Sequence, residues 1–379
     1  MHRLRSLLQK RDTLVIKIGT SLLADKSRGV DPVRVEAIAR CVSGLRALGK
    51  NVAIVSSGAI GAGTAALRLG EPPRTIPDKQ AAAAVGQPLL MEAYERAFRR
   101  LGLPVAQVLL TRDDFINRRR YLNSRNTLTA LFERGVVPIV NENDTVAVEE
   151  IKLGDNDNLS AMLATLVEAG ALIILSDIDG LFSGDPATDP GARLIRVVEK
   201  ITPDIQRCAR SSTGELGTGG MLTKIQAARR CAAAGIAMVI TNGRQPGAIE
   251  RVLAGDFTGT LFLPGEKRLS QRQKWIGLIS RPNGAVVVDD GARSALLRRK
   301  KSLLPSGVVE VRGQFRARDV IAILGPDGAQ VGKGITGYSS AELGLIRGKK
   351  TSEVEQILGR RVRAEVVDRD NFTPLGDAS

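Results

Sequence analysis

Two lysines stand where lysine is out of place. Lys17 is the one charged residue in the apolar run Thr13–Ile18, which reads as a buried strand, and Lys224 falls in the first turn of a helix expected over Met221–Ala234, where the helix dipole disfavours a cation. A lysine snorkelling from an edge strand would explain the first without any function, whereas a phosphate bound at the helix start would resolve the second. Between them the apolar run Val136–Val140 ends in Asn141-Glu142-Asn143-Asp144. A second polar knot, Gly154-Asp155-Asn156-Asp157-Asn158, precedes a helix expected from Leu159. In an α/β sheet, strand carboxyl ends and helix amino ends face the crevice where ligands bind, so these knots read as a site for a small polar molecule. Ordinary turn and capping chemistry of Asn and Asp is the plainer alternative.

Further glycine-flanked pieces follow expected strands: Lys17-Ile18-Gly19-Thr20-Ser21, Ser56-Ser57-Gly58-Ala59, Ser176-Asp177-Ile178-Asp179-Gly180 and Gly217-Thr218-Gly219-Gly220-Met221-Leu222-Thr223-Lys224. Glycine at such turns lets backbone N–H groups approach phosphate oxygens. The single histidine, His2, sits in the opening segment, which sets aside His-based acid–base catalysis, Ser-His-Asp triads and most zinc sites. Cys41, Cys208 and Cys231 form no CxxC pair, so neither a disulfide framework nor a thiolate metal site is expected, and no resident metal is assigned. Two cations, carboxylates and many amides without a general base suit phosphoryl transfer to a carboxylate, which is ionised near pH 7 and needs no deprotonation. Catalysis then reduces to positioning and charge neutralisation.

Two familiar patterns fail on context. Gly44-Leu45-Arg46-Ala47-Leu48-Gly49-Lys50-Asn51 mimics a P-loop but ends in Asn at the end of a helix, and Gly58-Ala59-Ile60-Gly61-Ala62-Gly63 lacks the acidic residue that closes a dinucleotide fingerprint.

The elements that must position these residues alternate. Short apolar runs (Thr13–Ile18, Val52–Val55, Val105–Leu110, Val136–Val140, Ala171–Leu175, Ala237–Ile240) are separated by helical patterns such as Val33–Leu48, Lys79–Leu101 and Met221–Ala234. The fold class expected is α/β, a mostly parallel sheet sandwiched by helices, and 379 residues with 43% hydrophobic content are enough for two domains. The division expected is a basic leader over 1–11, an α/β domain over 12–264, a linker over 265–279, a small β-rich domain over 280–363 and a tail over 364–379. Strand-like runs at Ala285–Val288, Val308–Val311, Val320–Leu324 and Gln330–Ile335 define the β-rich part, with helical pieces at Ala292–Arg299 and Ser352–Leu358.

The net charge of +15 is uneven: from Lys267 onward there are 21 Lys+Arg against 12 Asp+Glu. Such a surplus suits an anionic partner such as RNA, and equally an arginine-rich genome with no functional cause. The basic start lacks a signal-peptide pattern and no stretch reaches the length of a membrane span, so a soluble, cytoplasmic protein with no membrane partner is expected.

In the order Val15-Ile16-Lys17-Ile18-Gly19-Thr20-Ser21, Val55-Ser56-Ser57-Gly58-Ala59-Ile60, Lys79-Gln80, Ala84-Val85-Gly86-Gln87, Leu109-Leu110-Thr111-Arg112, Asn141–Asp144, Gly154–Asn158 and Gly217–Lys224, the chain resembles the amino acid kinase family. Within it the resemblance is to members that phosphorylate the side-chain carboxylate of L-glutamate at the start of proline biosynthesis, using ATP and Mg²⁺. It implies that Lys17 and Lys224 stabilise the transferring phosphoryl group, with Asp157 holding both ammonium groups. It also implies that Ser57, Asn141, Asp144, Asp155 and Asn156 bind glutamate, and that Lys17, Ser176, Asp177 and Thr218, Gly219, Gly220, Met221, Leu222, Thr223 and Lys224 bind ATP. Asp144 and Asp155 cannot face the substrate carboxylates, so they are assigned to its ammonium group. An acceptor other than glutamate, such as aspartate, N-acetylglutamate or a phosphorylated small molecule, stays open. A homo-oligomer and feedback inhibition by proline are implied by resemblance alone. The end of the chain resembles a PUA domain, a module that binds RNA elsewhere, through Val288–Ala292, Ser302–Gly307, Gly313-Gln314-Phe315 and Gly334–Ser340. Two departures stand out: Arg318, where a glycine is usual, and the basic run Arg298-Arg299-Lys300-Lys301. RNA binding is secondary to the small-molecule chemistry, whose motifs are far more specific.

Overall fold

The computed structural model describes residues 12–25, 29–147, 156–211, 220–265, 269–361 and 363–375, in two compact units that divide between Lys267 and Arg268. The expected leader and the site candidates Asp155, Thr218 and Gly219 lie outside the described residues.

The first unit is built on eight strands: β1 (Thr13–Ile18), β4 (Asn51–Ser56), β5 (Val105–Leu110), β6 (Val137–Glu142), β7 (Ala171–Ser176), β8 (Val197–Val198), β9 (Ala237–Asn242) and β10 (Gly259–Phe262). A short ribbon pairs β2 (Ala24–Asp25) with β3 (Gly29–Val30). The spatial order is β5-β6-β4-β1-β7-β9-β10-β8, and every pairing from β5 to β9 is parallel. Only β10 runs antiparallel to β9. β1 lies between β4 and β7, so the chain leaves it in one direction and returns on its other side, which opens a crevice at the carboxyl ends.

The pleat of β1 sends Leu14, Ile16 and Ile18 into one core and Lys17 to the opposite face. That core is closed by α1 (Pro32–Ala47), α3 (Ile76–Arg99) and α7 (Ala248–Ala254). Asp31 starts α1 by accepting from Val33 and Arg34 N–H groups, with Pro32 in the first turn. On the sheet's other side, α5 (Asn156–Leu166) packs on β1 and against α6 (Met221–Ala234), while α4 (Arg118–Glu133) packs on β6. All eleven residues of α5 are buried, so its polar first turn is held inside the protein.

One helix contact is closer than any side chain allows. α2 (Ala59–Ala66) meets α3 at Gly63 and Gly86, where an added Cβ would lie 1.7 Å from the Ala82 carbonyl oxygen and 1.9 Å from that of Ala59. Gly86 therefore brings the next residue, Gln87, hard against the sheet.

The second unit is a five-stranded sheet in the order β12-β11-β13-β14-β15, formed by β11 (Gly284–Val288), β12 (Val308–Arg312), β13 (Val320–Leu324), β14 (Gln330–Thr336) and β15 (Val367–Pro374). It carries α8 (Asp290–Leu297), α9 (Ser340–Ile346) and α10 (Thr351–Leu358) around a core that includes Val286, Leu303, Ile321, Tyr338 and Phe372.

Two segments expected outside this module are structured parts of it. Residues 271–279, read as linker, form a helical turn continued by a wider π-type turn with Trp275, Ile276 and Ile279 buried. Lys333 Nζ donates to the carbonyls of Gly277 and Ser280 at 3.2 and 2.8 Å, pinning that turn to β14. Residues 367–374, read as tail, pair with β14, and their alternation is masked because Asp368, Arg369 and Asp370 interrupt the apolar pattern before Phe372 reaches the core. At Arg318 the backbone keeps the left-handed conformation a glycine would take, φ 76°, and its N–H donates to Thr336 O at 2.8 Å.

Candidate active site

Lys17 is in a central strand, not an edge, so snorkelling to water is closed to it. Its neighbours in register are Val55 and Ile174, and the residue is only 6% exposed. Its Nζ sits 2.8 Å from Asp157 Oδ1. The other carboxylate oxygen, Oδ2, is 3.2 Å from Lys224 Nζ and accepts from Thr223 Oγ1 at 2.8 Å. One anion buried to 1% exposure thus joins two cations that come from a strand and a helix 207 positions apart in sequence.

The electrostatics of this triad are lopsided. Burial alone would raise the Asp157 pKa, but Lys17 and Lys224 overturn that, and it falls to about 2. Burial lowers the pKa of Lys224, Asp157 opposes that shift and Lys17 reinforces it. Two ammonium groups against one carboxylate leave an excess positive charge in a low-dielectric pocket, which a phosphoryl group would neutralise. Lys224 also feels Asp177, which ties the end of β7 to the same field.

The amide residues meet beside it. Asn156 Nδ2 donates to Ser57 Oγ at 2.8 Å and to Asn141 Oδ1 at 3.1 Å, bringing the ends of β4 and β6 to the start of α5. Asn156 Oδ1 is buried and accepts no hydrogen bond among the described residues. Asp144 lies in the turn after β6 with no ion-pair partner among the described residues, and burial lifts its pKa to about 6. At the end of β7, Ser176 Oγ donates to Asp177 Oδ1 at 3.2 Å, and Ser176 O accepts from Gly243 N at 2.8 Å. Gly220 caps α6, Met221 is buried, Thr223 and Lys224 turn to Asp157, and Leu222 is 43% exposed, away from the buried triad.

Two participants escaped the sequence reading and a third was given no role in it. Asn242 and Gly243 end β9 next to Ser176, where Asn242 Nδ2 donates to Asp179 Oδ1 at 3.0 Å. Ile240-Thr241-Asn242-Gly243 has the same apolar-to-amide ending as the first polar knot, so a signal existed. Gln87, which the sequence placed in the Ala84–Gln87 motif without a role, accepts from Asn141 Nδ2 at 2.9 Å.

No described group of three His, Cys, Asp or Glu side chains could hold a metal ion. Asp177, an exposed carboxylate at the end of β7 that acts on Lys224, suits Mg²⁺ carried on nucleotide phosphates, which usually keeps waters and uses one or two protein carboxylates.

Comparison with known proteins identifies the family. Residues 12–242 match the model of the amino acid kinase family and residues 284–358 that of the PUA domain. The glutamate 5-kinase of Geobacter sp. (strain M21) is 49% identical over 371 residues, covering 98% of this chain and all of that protein. That of Caldanaerobacter subterraneus subsp. tengcongensis is 47% identical over 362 residues, covering 96% and 97% respectively. Among solved structures, carbamate kinase from Giardia lamblia bound to AMP-PNP is 18% identical with a TM-score of 0.48 over 67% of this chain and 99% of its own.

Proposed function

The chain belongs to the amino acid kinase family, and we propose that it transfers the γ-phosphoryl group of ATP to the side-chain carboxylate of L-glutamate, giving ADP and L-glutamyl 5-phosphate for proline biosynthesis. The observation that carries this reading is the Lys17–Asp157–Lys224 triad: two buried cations fixed by one carboxylate. A carboxylate oxygen of glutamate attacks phosphorus, the new O–P bond forms as the bond to the β,γ-bridging oxygen breaks, and ADP leaves with that electron pair. No proton moves. Lys17 and Lys224 neutralise charge on the transferring group, and Asp157 holds the two ammonium groups in position.

Ser57, Asn141, Asn156 and Asp144 bind glutamate, with Asp144 facing its ammonium group. Asp155, outside the described residues, keeps the same assignment. Ser176, Asp177 and residues 218–224 bind the nucleotide, of which Thr218 and Gly219 likewise fall outside the described residues. Asp177 would be the protein carboxylate that holds Mg²⁺ carried on the nucleotide phosphates, and the ion would supply screening of phosphate charge. Inhibition by proline and assembly into a homo-oligomer are carried over from the family.

Purified protein given ATP, Mg²⁺ and L-glutamate should form ADP and an acyl phosphate trapped as hydroxamate. Product no greater than in an enzyme-free blank would reject the reading. Competition with aspartate and N-acetylglutamate in one reaction tests the acceptor: a half-buried Asp144 favours a free α-ammonium group over an acylated amine.

A further inference from the structure

A row of carboxamides leads from the outer strand of the first sheet to the amide cluster. Asn156 Nδ2 donates to Asn141 Oδ1 at 3.1 Å, Asn141 Nδ2 to Gln87 Oε1 at 2.9 Å, and Gln87 Nε2 to Gln107 Oε1 at 3.1 Å. Asn156, Asn141 and Gln87 are no more than 9% exposed, whereas Gln107, on the edge strand β5, is exposed. Every donor points outward along the row. Asn156 is therefore left with its oxygen, Oδ1, as the atom that accepts nothing within the described protein.

An isolated carboxamide can turn over at little cost, but within this row a single turned amide would set N–H₂ against N–H₂ or oxygen against oxygen. The orientations are thus decided together, and reversing the row would present an N–H₂ group where Oδ1 now stands. Oδ1 can accept an N–H from an ammonium group, and an N–H₂ group cannot.

We propose that Gln87 is a positioning residue for the amino-acid substrate: by holding Asn141 it fixes which end of Asn156 meets the substrate's α-ammonium group, with Gln107 as a weaker outer anchor. This rests on the glutamate reading above. Neither glutamine touches the reacting atoms, so the effect belongs in substrate affinity and not in the chemical step.

The test measures kcat and both KM values for the wild type, Gln87→Leu, Gln87→Glu and Gln107→Leu, with a thermal midpoint for each. Gln87→Leu should raise the KM for L-glutamate about tenfold or more, the cost of freeing a buried amide, while kcat and the KM for ATP stay within about twofold. Gln87→Glu should return the glutamate KM toward wild type, because a carboxylate still accepts from Asn141. Gln107→Leu, at an exposed position that tolerates substitution, should raise it about twofold and supplies the answer if Gln87→Leu unfolds the chain. Equal rises in both KM values, no rise for either Leu variant, or failure of Gln87→Glu to restore affinity would overturn the proposal. A wild type that forms no glutamate-dependent ADP would instead bring down the glutamate reading, and the role of the row with it.

Discussion

The two units of this chain treat charge in opposite ways. The first places Lys17, Asp157 and Lys224 at 6%, 1% and 5% exposure in the middle of an apolar sheet–helix layer. The second holds the larger share of the positive surplus and keeps most of it on the surface, with Lys274, 4% exposed, as an exception: ion pairs such as Arg293–Asp327 and Arg312–Glu310, and the run Arg298–Lys301, are exposed. Exposed pairs contribute little to stability and ask nothing of the fold, while a buried cation is costly unless something repays it. The lesson is that the density of charge says less about chemistry than its burial. Fifteen surplus positive charges point nowhere in particular, and two misplaced lysines point to one reaction.

That contrast can be broken most severely at Asp157. Asp157→Asn leaves two buried ammonium groups facing each other without a counter-charge, so kcat should drop by about three orders of magnitude and the first unit should lose about 3–5 kcal/mol. Steady-state rates and denaturant unfolding of the same variant check both. Lys224→Ala keeps the Lys17–Asp157 pair and should lower kcat to a similar degree with less loss of stability. An unchanged kcat would mean that the lysine serves only the fold.

Next comes the close approach of α2 and α3. Gly86→Ala drives a Cβ to within 1.9 Å of a backbone carbonyl oxygen and should destabilise the protein by about 1–3 kcal/mol, read from the urea midpoint. Because Gln87 follows directly, glutamate affinity should fall as well.

A milder probe is acidity. Asp157, with its pKa held down to about 2, should not set the acid limit of activity, whereas Asp144, lifted to about 6 and proposed to bind the substrate's ammonium group, should. As pH falls through 6 Asp144 takes up a proton and loses its hold on the ammonium group, so kcat/KM for glutamate should fall about tenfold per pH unit below that value. Asp144→Asn should lower kcat/KM at pH 8 and flatten this limb. The sign for stability is the reverse: a carboxylate whose pKa is raised by folding disfavours the folded state above its folded value, so Asp144→Asn should raise Tm at pH 8.

The smallest effects belong to the second unit. Arg318→Gly relieves a left-handed backbone at φ 76° and should stabilise that unit by about 1 kcal/mol in thermal unfolding, with glutamate phosphorylation unchanged. Replacing Arg298–Lys301 by glutamine should leave kcat and both KM values within about twofold. A large loss of activity would show that surface charge matters to the reaction after all.

Much of the fold was readable in advance because parallel strands buried on both faces are written as uninterrupted apolar runs. The runs at Thr13–Ile18, Val105–Leu110, Ala171–Leu175 and Ala237–Ile240 match β1, β5, β7 and β9 to within two residues. The polar interior of β15 and the basic lead into Trp275 hid two pieces of the second unit, because their burial comes from a few residues and backbone pairing, not from a period. In the site, Lys17, Lys224, Asp157 and the amides of Asn141 and Asn156 announced themselves by being polar next to apolar runs. Gln87 appeared only as the last residue of the Ala84–Gln87 motif, and its role emerges only from the approach of its helix to β6.

By itself, then, the amino-acid order determined which groups are available for chemistry and that the single histidine, His2, stands in the opening segment. It also determined the α/β alternation, since local periodicity depends only on neighbours a few positions away. What the tertiary structure decided is which of those groups meet. Lys17 and Lys224 each contact one oxygen of the same carboxylate, and Asn156 shows its oxygen and not its nitrogen. Those facts arise from packing α5 against β1 and α6 within a few ångströms, and distance in space is a quantity that order along the chain does not carry.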